Sequence, residues 1–134
     1  MYQHSAYRRV SYAETDKMGY LYYGRYADYY ETGRVEALRA IGMIYREMEE
    51  SGIIMPVLDM QTKFRKPAFY DDLLEIRTRI MELPNVRIRF VYEIYNENKV
   101  LLNEGETTLV FYDPVKKRPC NCPELLLNKL STFF

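Results

Sequence analysis

Apolar and polar residues alternate along much of this chain, and the alternation predicts five β-strands. In the clearest of them, from Val86 to Tyr95, every second side chain is apolar, and the residues between them include Arg87, Arg89 and Glu93. A period of two is typical of a strand with one face in the core and the other toward solvent. In the last of the five, at residues 99–112, we expect a bulge or bend at Gly105. The other four predicted strands cover residues 4–13, 54–65, 73–80 and 99–112.

A different spacing between the first two strands predicts one long helix. Apolar residues recur there at steps of three and four, which places them on a single helix face. Gly33 lies within this stripe, where glycine costs about 1 kcal/mol relative to alanine, so we expect another backbone or a flat sheet to pass very close to it. Shorter helices are predicted at residues 44–50 and 123–130. The stripe consists of Tyr26, Tyr29, Tyr30, Gly33, Ala37, Ile41 and Ile44.

The order of these elements predicts an α+β fold. One strand is followed by a long helix, a short helix and then four successive strands, which favours a mainly antiparallel five-stranded sheet over alternating βαβ units. The chain has 134 residues, the length of one ordinary domain, and we assign residues 1–134 to a single domain. One helix covers one face of such a sheet and leaves the other face and the edges open, so we expect a homodimer or a larger assembly.

The composition narrows the range of functions. Lys and Arg number 19, as do Asp and Glu, and both signs are spread along the chain, so nothing predicts binding to nucleic acid or attraction to a membrane. The sequence shows no long apolar run and no basic-then-apolar leader, and we therefore expect a soluble protein with a cytoplasmic location. Cys120 and Cys122 form a single C-x-C pair, which we interpret as free thiols because this spacing suits neither a disulfide nor a complete metal site.

Few residues in this chain are suited to catalysis, and they direct attention to the segment before the helix. His4 is the only histidine, which leaves almost no partner for a serine or cysteine nucleophile. What remains is a carboxylate, and Asp16, in the corner Glu14–Gly19, lies where backbone N–H groups can point outward at the start of the helix. A carboxylate that activates water, beside free backbone N–H groups of residues 18–24 that stabilise an oxyanion, is sufficient to hydrolyse an activated acyl ester. On local sequence alone, a plain helix N-cap is the favoured role of Asp16.

Tyrosine is the unusual residue in the composition. The chain has 14 tyrosines and no tryptophan, and six of the tyrosines fall between Tyr20 and Tyr30. A tyrosine buries a large ring while keeping a polar tip. We therefore expect an aromatic core and subunit interface near the corner, with an aromatic-lined pocket as the functional alternative.

The segment from Tyr12 to Arg34 resembles the signature of a known enzyme family. An aromatic-rich strand leads into Glu14-Thr15-Asp16 and Gly19, and the residues that follow match the same signature. In these motifs the chain is similar to the hotdog-fold acyl-CoA thioesterases of the 4-hydroxybenzoyl-CoA thioesterase type, including small bacterial thioesterases often encoded near the Tol-Pal envelope system. The other matching positions are Tyr20-Leu21, Tyr22, Tyr23, Tyr26, Glu31-Thr32-Gly33-Arg34, Met55-Pro56-Val57, Phe64-Arg65-Lys66-Pro67-Ala68 and Asp72.

The resemblance implies a fold, an activity and a set of site residues. The sheet would wrap around the long helix, dimers would join their sheets edge to edge, and active sites would lie at the subunit interface. The substrate would be an acyl-CoA or acyl-carrier-protein thioester, with no cofactor and no metal. Asp16 would act as general base or as nucleophile, and Tyr23 would form the pocket and offer its backbone N–H to the oxyanion. Met18, Gly19 and Tyr26 complete the implied substrate-binding residues.

The residues leave other functions open. A hotdog dehydratase or hydratase usually relies on a histidine paired with an acid, and this chain has no suitably placed histidine. A non-catalytic module that binds acyl-CoA or an acyl carrier protein is the main alternative to an enzyme. If coenzyme A binds, its phosphates should meet basic side chains at the rim of the pocket. The candidates are Lys63, Arg65, Arg87, Arg89 and Lys116–Arg118.

Overall fold

Five strands form an antiparallel sheet in the structure, a computed structural model that describes residues 1–134. They are β1 (Tyr2–Arg9), β2 (Val57–Phe64), β3 (Leu73–Ile80), β4 (Arg87–Tyr95) and β5 (Leu101–Val110). Their order across the sheet is β1-β3-β4-β5-β2, and every neighbouring pair is antiparallel. Strands β1 and β2 therefore form the two edges, and β2 pairs with β5, the last of the five strands in the chain.

One long helix lies against the sheet. Helix α1 (Tyr26–Ala40) follows two single 3₁₀ turns and packs against β1, β3 and β4. None of the helices is both long and apolar enough to cross a membrane. The sheet and α1 together form the arrangement that the hotdog resemblance implies. The remaining elements are α2 (Tyr45–Glu50), a hairpin of β6 (Tyr112–Asp113) and β7 (Arg118–Pro119), and α3 (Glu124–Ser131).

The close approach predicted at Gly33 is confirmed. A Cβ atom at this position would lie 2.5 Å from Oγ1 of Thr78 and 2.7 Å from Cγ2 of Ile76, both on β3. Tyr30 and Ala37, which belong to the same stripe, are fully buried. The apolar stripe of α1 therefore packs directly on the sheet and forms the core with it. The helix ends at residue 40, before the last two residues of the predicted stripe.

The first strand ends earlier than the alternation predicts. Val10 is still buried, but its N–H donates to the carbonyl of Asp72 in a loop, and a single 3₁₀ turn follows. Tyr12, which strand alternation would place on the same face as Val10, is 75% exposed. The chain turns here because Glu14 folds back and its Oε1 accepts the N–H of Ser11 at 3.0 Å. This side-chain hydrogen bond competes with the strand, and the alternation of residues does not reveal it.

The prediction of a bulge or bend at Gly105 is wrong. Gly105 pairs regularly with Tyr92 on β4 and with Thr62 on β2, and the register shifts instead near the end of β4 and the start of β2. The glycine is needed for a different reason. A Cβ atom there would overlap the hydroxyl group of Tyr30 and lie 2.7 Å from its Cε2. Gly105 thus makes room for a side chain from α1, and it does not bend the strand.

Strand β2 is an edge with exposed apolar side chains. Leu58 is 52% exposed, Met60 45% and Phe64 53%. They occupy one face of the strand, and Asp59 and Gln61 lie on the other, as the alternation predicts. An edge strand that combines unpaired backbone groups with open apolar side chains favours association with another chain.

Candidate active site

The segment between β1 and α1 folds into a closed loop. The N–H of Asp16 donates to the carbonyl of Tyr20 at 2.8 Å, and the N–H of Tyr22 donates to the carbonyl of Glu14 at 2.9 Å. Gly19 lies at the tip with a φ of 81°, a left-handed conformation that glycine adopts without strain. Residues 14–22 therefore form a small hairpin, with Asp16 on one arm and Tyr22 on the other.

The carboxylate of Asp16 is held by its own loop. Its Oδ1 accepts the N–H groups of Met18 at 2.9 Å and Tyr20 at 3.1 Å, while Oδ2 has no hydrogen-bond partner. The helix N-cap role favoured by the local sequence is wrong, because α1 begins at Tyr26 with Arg25 as its N-cap residue. The bonded oxygen fixes the direction of the carboxylate. The other oxygen is free to accept a proton or to attack a carbonyl carbon.

Two backbone N–H groups beside this loop are free. We expected free N–H groups at residues 18–24, and for residues 18–22 this is wrong. Each of those five N–H groups donates a hydrogen bond to an acceptor in the loop or in a neighbouring segment. The N–H groups of Tyr23 and Gly24 have no acceptor in the protein. Tyr23 and Gly24 are the first two residues of the 3₁₀ turn that leads into α1. Unpaired N–H groups at the start of a helix carry partial positive charge and favour the binding of an anion.

Asp16, Tyr23 and Tyr26 line one cleft of about 300 Å³. Met18 and Gly19, the other residues expected at the site, lie at the loop tip outside this cleft. The side chain of Met18 is 71% exposed, so its contribution is the backbone N–H that binds Asp16. The opposite wall comes from the end of β2 and the residues after it, a segment that the family motif matched but to which only one candidate residue was assigned. The full lining is Asp16, Tyr20, Leu21, Tyr23, Tyr26, Phe64, Arg65, Lys66 and Pro67.

Aromatic rings form much of the apolar surface of the cleft. The rings of Tyr26 and Phe64 meet edge to face, with their centroids 5.3 Å apart, and so join α1 to β2. Burial raises the pKa of Tyr26 to about 12, so its hydroxyl group stays protonated at neutral pH. Tyr23 is 67% exposed, and its ring packs against that of Tyr22 with centroids 4.6 Å apart. The cleft thus offers aromatic surface and a neutral phenol to a ligand.

A buried carboxylate beneath the loop was missed by sequence reasoning. Glu14 is 6% exposed. Its Oε2 accepts a hydrogen bond from Nη2 of Arg8 at 2.7 Å, and its Oε1 accepts one from the hydroxyl of Tyr29 at 2.9 Å. The signal available in the sequence was Arg8, which the alternation places on the inner face of β1. A charge at such a position requires an opposite charge nearby.

The environment of Glu14 predicts that the stability it supplies depends on pH. Burial by itself raises the pKa of Glu14, but the hydrogen bonds from Ser11 and Tyr29 and the charge of Arg8 outweigh burial, and the pKa lies below its ordinary value of 4.5. A carboxyl group whose pKa falls on folding stabilises the native state above its unfolded pKa, and this contribution is lost as the pH falls through the folded-state pKa.

We therefore expect Glu14→Gln to lower the free energy of unfolding at pH 7 by about 2 kcal/mol, the scale of hydrogen bonds to a charged group. The difference from wild type should shrink as the pH falls below 4.5 toward the lowered folded-state pKa of Glu14, because the carboxyl group then binds a proton more readily in the unfolded chain than in the native state. Urea denaturation of both proteins at a series of pH values measures this. A difference that is equally large at pH 7 and pH 3 would contradict the prediction.

A family model covers nearly the whole chain. Its description is "Thioesterase-like superfamily", and it matches residues 10–130. The chain belongs to this superfamily. The resemblance indicated by the motif from Glu14 to Gly19 is therefore confirmed, and the hotdog fold with it.

Relatives of this thioesterase-like protein include enzymes with named activities. The acyl-CoA thioester hydrolase YbgC of Escherichia coli O6:H1 is 33% identical over 119 residues, which cover 89% of this chain and 89% of that protein. A solved structure of DHNA-CoA thioesterase from Staphylococcus aureus has a TM-score of 0.87 and 31% identity, and the match covers 100% of this chain and 85% of that one. A mutant of 4-hydroxybenzoyl-CoA thioesterase complexed with 4-hydroxybenzoyl-CoA shares the fold, with a TM-score of 0.86 at 18% identity over 96% and 99% of the two chains.

The cleft brings together few of the basic residues expected to meet coenzyme A. Arg65 lines it and pairs with Glu104, with 2.6 Å between Nη2 and Oε2. Arg89 lies outside the cleft and pairs with Glu106 at 2.5 Å. Lys66, which was not among the candidates, lines the cleft beside Arg65 and has no carboxylate within 4.0 Å. Arg65 and Lys66 are therefore the two cations of the cleft.

Proposed function

We propose that the protein hydrolyses acyl-CoA thioesters to the free acid and CoA, with Asp16 at the reacting carbonyl group. One observation carries this proposal. Asp16, which has an unbonded carboxylate oxygen, shares a cleft with Tyr23, and the N–H groups of Tyr23 and Gly24 have no acceptor. A base or nucleophile beside unpaired donors is the apparatus that acyl transfer to water requires. The acyl-CoA thioester hydrolase among the relatives supports the substrate class.

In one route Asp16 acts as general base. Its Oδ2 takes a proton from water while the water oxygen bonds to the thioester carbon. The carbonyl oxygen becomes an oxyanion, and the N–H groups of Tyr23 and Gly24 stabilise its charge. The carbon–sulfur bond then breaks as the carbonyl re-forms, and the proton held by Asp16 passes to the departing thiolate of CoA.

In the other route Asp16 acts as nucleophile. Its Oδ2 bonds to the thioester carbon, the CoA thiolate leaves, and water hydrolyses the resulting anhydride at the aspartyl carbonyl group. Turnover in ¹⁸O-labelled water separates the two routes. The general-base route places the label in the acid released in the first turnover. The nucleophilic route places it in Asp16, where mass spectrometry of the digested protein detects it.

Release of CoA thiol from short, long and aromatic acyl-CoA esters tests the proposed activity and identifies the acyl preference. Binding of these esters without thiol release by the wild-type protein would instead indicate a non-catalytic module for acyl-CoA or an acyl carrier protein. Isothermal titration calorimetry with a non-hydrolysable acyl-CoA thioether distinguishes a module that binds from a protein that does neither.

We further propose that two copies of the chain associate through β2. This strand is a sheet edge, so every second backbone N–H and C=O group on its outer side lacks a strand partner. Pairing two copies of β2 would satisfy these groups and make one continuous sheet. It would also cover the exposed side chains of Leu58, Met60 and Phe64. Phe64 lines the cleft, so the second copy would border the active site.

Met60→Arg is expected to convert the dimer to a monomer. Met60 is 45% exposed in the single chain, so an arginine there does not disturb the core of one copy, but it places a charge in the proposed interface. Gln61→Arg is the matched control, since it adds the same charge on the opposite face of the strand. Size-exclusion chromatography with light scattering measures both. A monomeric wild type, or a Met60→Arg variant that stays dimeric, would refute the interface.

A further inference from the structure

Glu14 joins the three elements that meet at the active-site loop. Its carboxylate bonds to Arg8 on β1 and to Tyr29 on α1. Arg8 also donates from Nη1 to Oγ1 of Thr32 on α1 at 3.0 Å, and its guanidinium carbon lies 4.2 Å from the ring centroid of Tyr29. Arg8 therefore joins β1 to α1 directly, and the carboxylate of Glu14 joins the loop to both of them.

The backbone of Glu14 connects the two arms of the same loop. Its carbonyl accepts the N–H of Tyr22 at 2.9 Å, and Tyr22 directly precedes Tyr23, which carries the first free N–H. On the other arm, Asp16 follows Glu14 by two residues. Both arms of the hairpin, the one with Asp16 and the one that leads to Tyr23, are therefore attached to Glu14. The side-chain hydrogen bonds of Glu14 in turn attach this residue to α1.

Glu14 takes no part in the chemistry itself. It does not line the cleft, and both of its carboxylate oxygens already accept hydrogen bonds, Oε1 from Ser11 and Tyr29 and Oε2 from Arg8. No oxygen is left to accept a proton from water without breaking this network. Any effect of Glu14 on catalysis must therefore act through the groups that it holds in place.

We propose that Glu14 is a positioning residue that, with Tyr29 and Arg8, sets the separation between the Asp16 carboxylate and the free N–H of Tyr23. The inference rests on the proposed role of Asp16. Both groups must act on one carbonyl group: Asp16 attacks its carbon, directly or through the water that it activates, and the N–H stabilises its oxygen. A misplacement of about 1 Å between catalytic groups can lower a rate by about a hundredfold, so a loop that slides relative to α1 loses activity without losing its fold.

Two substitutions loosen this connection in different ways. In Glu14→Gln an amide replaces a carboxylate, which only accepts hydrogen bonds. The NH₂ group of the amide then takes the place of one carboxylate oxygen and faces a donor, either Arg8 or the pair Ser11 and Tyr29. Tyr29→Phe removes only the hydroxyl group that ties Glu14 to α1 and keeps the ring beneath Arg8. We expect kcat for acyl-CoA hydrolysis to fall about tenfold or more in Glu14→Gln and about fivefold in Tyr29→Phe, with KM within about twofold of wild type.

Tyr2→Phe is the matched control for lost stability. The hydroxyl group of Tyr2 is also buried, and it donates to the carbonyl of Ala37 at 2.6 Å, near the other end of α1. The variant should lower the thermal midpoint as Tyr29→Phe does and leave kcat within about twofold. All assays are run well below the thermal midpoint of each variant. If Tyr2→Phe lowers kcat as much as Tyr29→Phe, activity follows stability and the positioning role is refuted.

Two further measurements separate positioning from other roles. In the double variant Glu14→Gln/Tyr29→Phe, the losses in kcat should be far from additive, because both changes break one connection. The acid limb of the kcat–pH profile should persist in Glu14→Gln, because the titrating base is still present. Disappearance of that limb would make Glu14 the base itself and overturn the inference.

Asp16→Asn is assayed in parallel, so that the catalytic role of Asp16 and the positioning role of Glu14 can be refuted independently. If Asp16→Asn is inactive while Glu14→Gln and Tyr29→Phe keep kcat within about twofold, only the positioning role of Glu14 is wrong. If the wild type turns over and Asp16→Asn is equally active, the proposed site is wrong and the inference falls with it. Loss of kcat in all three variants, with KM nearly unchanged in the two positioning variants and full activity in Tyr2→Phe, supports both.

Discussion

Replacing Asp16 with asparagine is expected to lower kcat for acyl-CoA hydrolysis by about a hundredfold or more, the effect of removing a catalytic acid–base group. The side-chain oxygen of asparagine can still accept the N–H groups of Met18 and Tyr20, which hold Oδ1 of Asp16 at 2.9 and 3.1 Å. The loop should therefore persist. The free oxygen Oδ2, however, becomes an amide nitrogen, which is neither a base nor a nucleophile at neutral pH. Substrate binding should change much less than kcat.

Thiol release from the acyl-CoA panel by wild type and variant measures this effect. Asp113→Asn is the matched control, because Oδ1 of Asp113 also accepts two backbone N–H groups, those of Val115 and Lys116, in a turn outside the cleft. That variant should keep full activity. Undiminished turnover by Asp16→Asn would remove Asp16 from the mechanism, and an equal loss in Asp113→Asn would show that the substitution acts through the fold.

Gly105→Ala is expected to lower the free energy of unfolding by about 3 kcal/mol, at the upper end of the usual range for overpacking a core. The new methyl group would overlap the Tyr30 hydroxyl and lie 2.7 Å from its Cε2. Tyr30 has little room to move. Its ring stacks on that of Tyr92 with centroids 4.4 Å apart, and its hydroxyl group bonds to Thr62 and Asn103. Burial raises the pKa of Tyr30 to about 12, so this network stays neutral.

Chemical denaturation measures this loss, and Glu106→Ala is the control on the same strand. It removes a partly exposed ion pair with Arg89 and should cost less than about 1 kcal/mol. A second control tests the cause. In a Tyr30→Leu background, where the side chain is too short to reach Gly105, the same glycine substitution should cost little. A full cost in that background would mean that the overlap with Tyr30 is not the reason for the glycine.

Several elements of the fold could be predicted from the sequence because their signal is local. Strand β3 was predicted at residues 73–80, and its bounds in the structure are Leu73–Ile80. The direction of each side chain in a strand follows from its position alone. The same holds for the stripe of α1, in which Gly33 already indicated that the sheet lies close. The first strand was predicted less well, since the bond between Glu14 and Ser11 ends it, and that bond depends on a side chain that folds back.

The candidate site could be predicted only in part. Composition left a carboxylate as the candidate catalytic group. The position of Asp16 before the helix singled out that residue, and the motif around it indicated the thioesterase superfamily. The free N–H groups of Tyr23 and Gly24 could not be predicted individually, because which N–H groups remain free depends on how the whole loop closes. The wall formed by Phe64 and the two cations beside it comes from a strand far away in sequence, and only the path of the chain brings it to Asp16.

By itself the sequence determined the class of fold, the order of its strands and helices along the chain, and the superfamily, because alternation, helical spacing and the motif from Glu14 to Gly19 are properties of neighbouring residues. Only the tertiary structure decided why Gly105 must lack a side chain, which oxygen of Asp16 is free, and that Glu14 joins the loop to α1. Each of these depends on atoms from segments distant in sequence that meet within a few ångströms, where hydrogen-bond geometry and steric overlap decide what is possible.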